Sequence, residues 1–559
     1  MAGGDRLSDL PNDLLRRVLH FVPAREGAST SALSKRWRGL WRSSGAMNLD
    51  AHVPEGVNIL DLFSQRDALV SAARLALEAA GSPLTRLTFR VDAGGHDRVR
   101  DFLYRYYDLN WRSRSPDVVT ELLSLPAARR VEELRLAPGN SVDLDRDDRE
   151  YTGWSTTGFG DLSFLCLLSD TLRVLDVTGC ADIKPSPAIA FPQLASLRLS
   201  LCVVTIEHLH DFIDAAPALT TVYLESVRLD VDGRCPTPDV VRLNFPGVTE
   251  LLLDSCSWPR EWLAWGTTAV EIDGPRLRRF TYKGLLRPLS LTSPTPDLTR
   301  VDLHIFRDVY ERNKDARRDL ETFWRCAQNF SNAKELKLRM NQLEDIAVVG
   351  SANRAKLLCS FHNLERLQLD ASHRIQGKTA AVAVANLLSC CPILRDIRIN
   401  LTMVQPDSNK RAEEGRCFLE EKYRRDFEKS IHGFRNRRLA SMVSVEGDYD
   451  DGNATYDKLS DLPALSRQDF KCLQSSLCCV RLQFCPETNI FGEKLRSNFG
   501  AQLIKFFAEN AVLLKEMHIY GGNGKMCKHI NHKLERWLTT NSSEKRKTTL
   551  VILPLEVKS

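Results

Sequence analysis

The hexapeptide Leu194-Ala-Ser-Leu197-Arg-Leu199 carries apolar side chains at its first, fourth and sixth positions. The same pattern returns at Leu219-Thr-Thr-Val222-Tyr-Leu224 and again at Val248-Thr-Glu-Leu251-Leu-Leu253. Apolar fourth and sixth positions predict a short strand with one buried face, because successive side chains of a strand point to opposite faces. A unit that recurs in this way predicts stacked strands that share one continuous core.

Copies of this pattern extend over most of the chain. Their first positions are Leu84, Val131, Leu172, Leu194, Leu219, Val248, Leu277, Leu298, Ala333, Leu364 and Leu394, with weaker copies at Leu477 and Leu514. Intervals of 22, 25, 29, 29 and 21 residues separate the first positions from Leu172 to Leu298, close to the period of leucine-rich repeats. The predicted fold class is α/β: an irregular leucine-rich-repeat solenoid with parallel strands on its concave face and helices and loops outside, preceded by a small helical module.

The cysteines fit the same register. Cys180, Cys202, Cys256 and Cys485 each lie eight residues after the first position of a repeat, and Asn341 occupies the same place. This is the Asn/Cys position of the leucine-rich consensus, where a polar side chain bonds the backbone as the strand turns away. The chain has 15 cysteines, an odd number, and we expect reduced, mostly buried thiols instead of a disulfide framework.

A separate apolar pattern lies near the N-terminus. Leu14, Leu15, Val18, Leu19 and Val22 recur at helical spacing after Leu10-Pro11, and proline suits the first turn of a helix. A second helix is predicted from near Ser29 or Thr30, with apolar positions at Leu33, Trp37, Leu40 and Trp41. Periodicity alone leaves open whether these residues pack on the following domain or bind another protein.

Both halves of this segment, about residues 5 to 47, resemble the F-box of plant F-box/leucine-rich-repeat proteins. The resemblance rests on Asp5-Arg-Leu-Ser-Asp-Leu-Pro-Asn-Asp-Leu-Leu-Arg-Arg-Val-Leu-His-Phe-Val22 and on Thr30-Ser-Ala-Leu-Ser-Lys-Arg-Trp-Arg-Gly-Leu-Trp41. It implies a partner, a Skp-type adaptor, which links such proteins to a cullin–RING ubiquitin ligase. The implied adaptor-binding residues are Leu10, Pro11, Leu14, Leu15, Val18, Leu19, Leu33 and Trp37.

The C-terminal part contains a break in the repeats and then a return to order. Residues 402–460 are rich in charge and turn-forming residues, which predicts a mobile insertion that is helical in part. Residues 461–559 resemble the FBD-type region of plant F-box proteins and are expected to cap the solenoid. The predicted organisation is therefore an F-box over 1–48, a helical connector over 49–83, leucine-rich repeats over 84–401, the insertion, and the FBD-like region.

No motif predicts catalysis, a metal site or a cofactor. Gly521-Gly-Asn-Gly-Lys525 lacks the glycine spacing and the Ser/Thr of a phosphate-binding loop. Cys527, His529 and His532 lack a second cysteine at zinc-finger spacing. With a net charge of +5 and no apolar signal region or spanning segment, we expect a soluble protein of the cytoplasm, the nucleus or both, with no membrane partner.

The outward positions of the later strands form the remaining candidate surface. This surface is mildly basic, and as a hypothesis it receives an acidic segment of a protein target, although an ordinary solvated face would carry the same residues. The candidate target-binding residues are Arg279, Lys283, Arg300, His304, Lys337, Arg339 and Arg366.

Together these patterns predict the non-catalytic substrate-recognition subunit of an SCF-type cullin–RING ubiquitin ligase. One alternative is a leucine-rich-repeat scaffold that binds partners without directing their degradation. Another is a nucleic-acid-binding protein that uses the Lys/Arg-rich insertion near 410–438, although the near-balanced net charge disfavours it. The sequence does not name the target.

Overall fold

The computed structural model describes residues 10–54, 56–78, 83–93, 102–103, 118–138, 159–163, 170–184, 190–231, 239–259, 268–306, 316–374, 377–404, 462–466, 468–485, 499–520 and 549–553. The chain divides into two compact units, Met1–Leu277 with Leu291–Pro294, and Arg278–Ser290 with Thr295–Ser559. Most of the predicted charged insertion lies outside the described residues, as do the Gly521–Lys525 segment and Cys527, His529 and His532.

The first unit consists of parallel strands with short helices between them. Its helices are α1 (Asn12–Leu19), α2 (Ala24–Ser29), α3 (Ile59–Glu78), α4 (Val118–Leu123) and α5 (Ile206–Ala215), with 3-10 turns at Thr30–Ala32, Trp37–Gly39 and Ala128–Arg130. Its strands are β1 (Ala46–Val53), β2 (Arg86–Ala93), β3 (Glu133–Pro138), β4 (Phe159–Ser163), β5 (Val174–Thr178), β6 (Cys180–Lys184), β7 (Ser196–Ser200), β8 (Val203–Thr205), β9 (Thr221–Glu225), β10 (Arg228–Asp230), β11 (Val240–Asn244), β12 (Glu250–Asp254) and β13 (Ala269–Asp273). The main sheet runs β1-β2-β3-β5-β7-β9-β12, all parallel. The remaining strands form short parallel ladders, β4 with β6, β8 with β10 and β11 with β13.

The second unit has the same construction. Its strands are β14 (Arg279–Leu285), β16 (Arg300–Phe306), β17 (Glu335–Gln342), β18 (Arg366–Arg374), β19 (Asp396–Val404), β20 (Cys479–Cys485), β21 (Glu516–Tyr520) and β22 (Thr549–Leu553), and they pair in this order, all parallel. The short strand β15 (Leu289–Leu291) contains the boundary between the units. Its helices are α6 (Ala316–Gln328), α7 (Ser351–Leu357), α8 (Lys378–Cys390), α9 (Pro463–Ser466), α10 (Lys471–Ser475) and α11 (Phe499–Asn510), with a 3-10 turn at Leu343–Ile346.

The strand register follows the repeat pattern of the sequence. The fourth-position residue Leu197 lies opposite Leu175 on one side and Val222 on the other, and Val222 lies opposite Leu251. All four side chains are completely buried. Burying a side chain of this size contributes about 1.5–3 kcal/mol, which accounts for the register. The predicted leucine-rich-repeat fold is confirmed.

The strands β7, β9 and β12 of the first unit each end in a left-handed turn. Leu201, Ser226 and Ser255, each seven residues after a first position, have φ angles of 54°, 50° and 52°. Such a conformation costs roughly 1–2 kcal/mol for a residue with a Cβ atom. The backbone hydrogen bonds between adjacent strands continue through these turns. The N–H of Leu201 donates to Glu225 O at 2.9 Å, and that of Ser226 donates to Asp254 O at 2.7 Å.

The cysteines after these turns act as internal hydrogen-bond donors. Cys202 Sγ donates to Val177 O at 3.5 Å, and Cys256 Sγ donates to Leu224 O at 3.4 Å. In both cases the acceptor is the sixth-position carbonyl of the preceding repeat. Burial raises the pKa of Cys202 to about 12, so the thiol keeps its proton near neutral pH. Asn341 differs, because the β17–β18 register shifts between Met340 and Gln342 and its Oδ1 atom has no partner among the described residues.

The second helix predicted for the N-terminal module is not formed as one helix. Helix α2 ends at Ser29, and only 3-10 turns follow at Thr30–Ala32 and Trp37–Gly39. The hydroxyls of Ser29 and Thr30 donate back to Glu26 O at 2.7 Å and Gly27 O at 2.6 Å. Hydroxyl groups that bond the backbone in this way compete with helix continuation, which explains why α2 stops there.

The sheet begins earlier than the predicted start at residue 84 and continues to a later strand. Strand β1 pairs with β2 so that Met47 lies opposite Leu87. The residues of β1 were predicted to end the module and to begin a helical connector. The helix of that connector is α3. At the other end β22 pairs with β21. In the repeats of β1 and β22 the first position is polar, Ser44 and Lys547 respectively. The apolar pattern therefore does not reveal these two strands.

The uncharged stretch around 379–394 forms α8, whose alanine, valine and leucine side chains are buried inside the second unit. Among the described helices, none combines the length and apolarity that crossing a bilayer requires. Gly377 precedes α8 with φ +60°, and a Cβ atom on it would lie 2.6 Å from Phe499 Cγ. Gly350 precedes α7 with φ +89°, but a Cβ there would approach only Asn353 Nδ2, at 3.9 Å.

We predict that Gly377→Ala lowers the free energy of unfolding by about 2–5 kcal/mol, because backbone strain is added to a clash in a packed core. Gly350→Ala is the control for a positive φ in open space, although its ψ of 140° differs from the −4° of Gly377. It should cost about 1–3 kcal/mol for backbone strain alone. Denaturant unfolding of both variants measures the difference. Equal losses would show that Phe499 does not enforce the glycine at 377.

Candidate functional site

The N-terminal module has a small apolar core of its own. Leu15, Leu19, Trp37 and Leu40 are buried together, and Leu10 and Trp41 pack against them. Three of the predicted adaptor-binding residues, Leu15, Leu19 and Trp37, therefore lie inside the module in this structure. Their side chains shape the module and hold α1 against the segment that follows it.

A second apolar row, on α1 and the turn that follows it, faces outward. Leu14 and Val18 are 47% and 48% exposed, and Phe21, at the next helical step, is 64% exposed. Leu33 is 69% exposed. Pro11, also exposed, occupies the N-cap position of α1. Contiguous exposed apolar side chains mark a protein-interaction surface more often than isolated ones do. We call Leu14, Val18 and Phe21 the outer row.

Phe21 is not among the adaptor-binding residues predicted from the sequence. The spacing of Leu14, Val18 and Phe21 is i, i+4 and i+7, which places the three on one helical face. Leu15 and Leu19 form a neighbouring stripe with the same spacing. Two overlapping stripes can be separated by spacing, but spacing does not say which one is buried.

Polar contacts fix α1 to the second half of the module. Arg36 Nε donates to Asn12 Oδ1 at 2.8 Å, and the same guanidinium donates to Leu10 O. Arg16 Nε donates to Ser43 Oγ at 3.1 Å, and Arg16 also forms an ion pair with Asp13 at 2.8 Å. These contacts join the two ends of the module around its core, so the outer row is presented by a braced helix.

The module is also attached to the first strands of the sheet. Asn48, on β1, is buried, and its Nδ2 donates to His20 O and to Val22 O, both at 3.0 Å. The ring nitrogen His20 Nδ1 donates to Ser44 O at 3.0 Å. The Arg86 guanidinium on β2 lies 5.0 Å from the centre of the Phe21 ring. The C-terminal end of α1 is therefore held by the repeat sheet within the first unit.

The predicted target-binding residues lie on the exposed face of four neighbouring strands in the second unit. Arg279 on β14 is opposite Arg300 on β16. Lys283 is opposite His304, which in turn is opposite Arg339 on β17. Cationic and imidazole side chains therefore meet in columns across the strands, and like charges in directly opposite positions disfavour one another.

Acidic residues on adjacent strands compensate part of this charge. Lys337 Nζ lies 3.3 Å from Asp302, Arg339 lies 3.5 Å from Asp370, and Arg366 lies 2.5 Å from Glu335. Ion pairs at a surface typically contribute only about 0–1 kcal/mol each. These cations therefore remain accessible to competition by acidic groups of a bound segment.

The second unit also contains a cavity of about 310 Å³ beside β16, β17 and α6. Its apolar wall includes Ile305, Phe306, Leu320, Phe323, Met340 and Ile346, and Glu344 contributes to its polar rim. One Glu344 carboxylate oxygen accepts the backbone N–H of Arg374 at 2.8 Å. The sequence does not reveal this cavity, since its walls come from separate strands, a helix and a 3-10 turn.

Comparison with known proteins identifies the module. Residues 7–46 match the F-box domain family model. Two F-box/FBD/LRR-repeat proteins of Arabidopsis thaliana are 55% and 40% identical to this chain over 252 and 260 residues, which is 43% and 44% of this chain and 47% and 49% of theirs. A putative F-box/LRR-repeat protein of the same plant is 24% identical over 225 residues, 40% of this chain and 39% of its own. The chain thus spans less than half of the length of each of these three relatives.

The F-box match covers α1, α2 and the 3-10 turns that carry the small core, and the strands that follow form leucine-rich repeats in both units. The names of the relatives add the FBD-type region that the C-terminal sequence resembles. The chain therefore carries an F-box domain followed by leucine-rich repeats, and it is similar to F-box/LRR-repeat proteins of Arabidopsis thaliana over less than half of their length.

Proposed function

We propose that this protein is the substrate-recognition subunit of an SCF-type cullin–RING ubiquitin ligase. The observation that carries the proposal is the outer row of Leu14, Val18 and Phe21, exposed on α1 and the turn after it in a matched F-box domain. Bare apolar side chains on a braced helix suit a groove or helix face of a partner protein. The partner we expect is a Skp-type adaptor, which would join the chain to the cullin–RING ligase.

The outer row is large enough to matter for affinity. Fully burying an exposed Leu, Val or Phe side chain contributes about 1.5–3 kcal/mol. The three are only about half to two-thirds exposed, so burying them supplies roughly 2–5 kcal/mol before the cost of association. Leu10, Pro11 and Leu33 extend this surface in the proposal. Leu15, Leu19 and Trp37 support it from inside, since their side chains are already buried.

The target is proposed to bind the exposed strand face of the second unit. Arg279, Lys283 and Arg300 lie at the β14–β16 end of that face, where Arg279 lies opposite Arg300 and Lys283 opposite His304. An acidic segment of a target would relieve the repulsion between these columns and would exchange with the weak ion pairs of Lys337, Arg339 and Arg366. Electrostatic attraction of this kind mainly speeds association and selects partners.

In this role the protein is not an enzyme. It would act by proximity, because holding a target near the ubiquitin-loaded end of the ligase raises the effective concentration of the target lysines. We expect the receptor in the cytoplasm, the nucleus or both. A scaffold that binds a target without turnover would have the same strand face, and it differs by lacking adaptor binding.

We predict that Leu14→Asp combined with Val18→Asp weakens binding to a recombinant plant Skp-type adaptor by roughly 100-fold or more. Each change removes apolar contact worth roughly 1 kcal/mol, about half of the value for full burial, since both side chains are half exposed. Each also brings a carboxylate into the interface at a further desolvation cost, and about 1.4 kcal/mol corresponds to a tenfold change in affinity. Calorimetric titration of the purified full chain measures the affinity.

Leu60→Asp combined with Leu75→Asp is the matched control, because these α3 leucines are 75% and 66% exposed and lie outside the module. This control should bind the adaptor normally. Thermal unfolding should be similar for both double variants, since all four positions are exposed. If the intact protein bound no such adaptor, or if both double variants bound equally well, the adaptor role would be wrong.

We predict that reversing Arg279, Lys283 and Arg300 to glutamate reduces the capture of target proteins severalfold. Proximity labelling in plant cells, with and without proteasome inhibition, identifies proteins that accumulate near the receptor when degradation is blocked. The charge-matched control reverses the exposed residues Arg318, Arg325 and Lys356 on α6 and α7. The same labelled proteins with both triple variants would argue against the strand face as the target site.

A further inference from the structure

Three potential metal ligands meet on the side of β20 and β21 that is opposite the buried Val480 and Met517. Cys479 is buried there, His518 is half-buried and Glu516 is exposed. Cys479 lies opposite Glu516, and the next outward residue of β21 is His518. Cys479 Sγ is 3.8 Å from Glu516 Oε2, and His518 Nε2 is 3.3 Å from the same oxygen. Within the described part of the chain, the three ligand atoms all lie within 4.8 Å of one another.

Strand alternation places these side chains together. Val480 and Leu482 of β20 and Met517 and Ile519 of β21 are buried in the core. Their neighbours on the same strands therefore point to the opposite face of the sheet. The sequence does not reveal the group, since the cysteine and the glutamate are 37 residues apart and no short motif contains both.

The separations fit a tetrahedral ion. With Zn–S near 2.3 Å, Zn–N near 2.0–2.1 Å and Zn–O near 2.0–2.2 Å, tetrahedral ligand atoms lie roughly 3.3–3.6 Å apart. The oxygen–nitrogen separation already has this value, and the sulfur–oxygen separation exceeds it by a few tenths of an ångström. Small side-chain rotations would complete the geometry.

The donor set selects the metal. Thiolate, imidazole and carboxylate together suit Zn²⁺, whereas Mg²⁺ and Ca²⁺ prefer oxygen ligands alone. We propose that Cys479, Glu516 and His518 bind one Zn²⁺ ion that joins β20 to β21. As the Zn–S bond forms, the S–H bond of Cys479 breaks and its proton passes to solvent. His518 binds through Nε2 as the neutral imidazole, with its proton on Nδ1.

The neighbouring charges leave one coordination position for another group. Asp396 on β19 lies opposite Cys479, but its two oxygens are engaged by Arg481 at 2.8 and 2.6 Å. The fourth ligand would therefore be water or a side chain of a bound protein, as in zinc sites that keep an open position. This ion would join two strands of the FBD-like region. Its open coordination position could bind a side chain of another protein.

The test uses the reduced, metal-depleted full chain, titrated with Co²⁺ as a spectroscopic probe and with Zn²⁺ as the competitor. The wild-type protein should bind about one Co²⁺ with the charge-transfer absorption of a cobalt–thiolate bond, and Zn²⁺ should abolish this absorption. Cys479→Ser and His518→Gln should each weaken binding at least about tenfold, since even losing an outer-shell partner can cost that much. Zn²⁺ should also raise the unfolding temperature of the wild type but not of Cys479→Ser.

Cys478→Ser is the matched control, because this adjacent thiol contacts Arg395 O at 3.4 Å and is not one of the three ligands. It should retain the cobalt spectrum. If Cys479→Ser does not fold, Glu516→Gln decides the question, since Glu516 is exposed. No stoichiometric binding by the wild type would overturn the proposal. A thiolate spectrum that survives loss of Cys479 or of the other two ligands would also overturn it, because the metal would then be at other cysteines.

Discussion

The structure depends on the burial of three apolar side chains in every repeat, in register with those of the next repeat. Leu175, Leu197, Val222 and Leu251 follow one another across adjacent strands without exposed surface. A shift of one residue in any strand would turn this row outward. The left-handed turns tolerated at Leu201, Ser226 and Ser255 follow from that constraint, because they return the chain to register after each strand.

The sequence was informative wherever one repeat determined its own contacts. Alternation of apolar residues predicted the buried fourth and sixth positions, and the cysteine register predicted the turn position that Cys202 and Cys256 occupy, with thiols bonded to strand carbonyls. The pattern failed at the ends, where Ser44 replaces the apolar first position before β1. There the module covers the sheet, so the local sequence no longer has to provide the usual apolar residue.

Features that depend on distant residues could not be read from local patterns. Helix α1 carries two apolar stripes of equal quality, and Leu15 and Leu19 became the inner one only because Trp37 and Leu40 pack there. In the same way, cations such as Arg366 and Lys337 appear in the sequence as a basic surface, whereas the ladder places Glu335 and Asp302 beside them. Strand pairing brings together charges that are about 30 residues apart.

The buried amide of Asn48 has a consequence for chimaeric receptors. Its two hydrogen bonds to the carbonyls of His20 and Val22 mean that β1 helps to hold the F-box in place. A transplanted F-box should therefore include β1 and end after Val53, instead of ending before Ala46. A graft made at the earlier point would leave unsatisfied carbonyls at the end of α1, and each such buried group costs about 1–3 kcal/mol. Helix α1 would then no longer be held against β1, so the outer row would lose its fixed orientation relative to the first strands of the repeats.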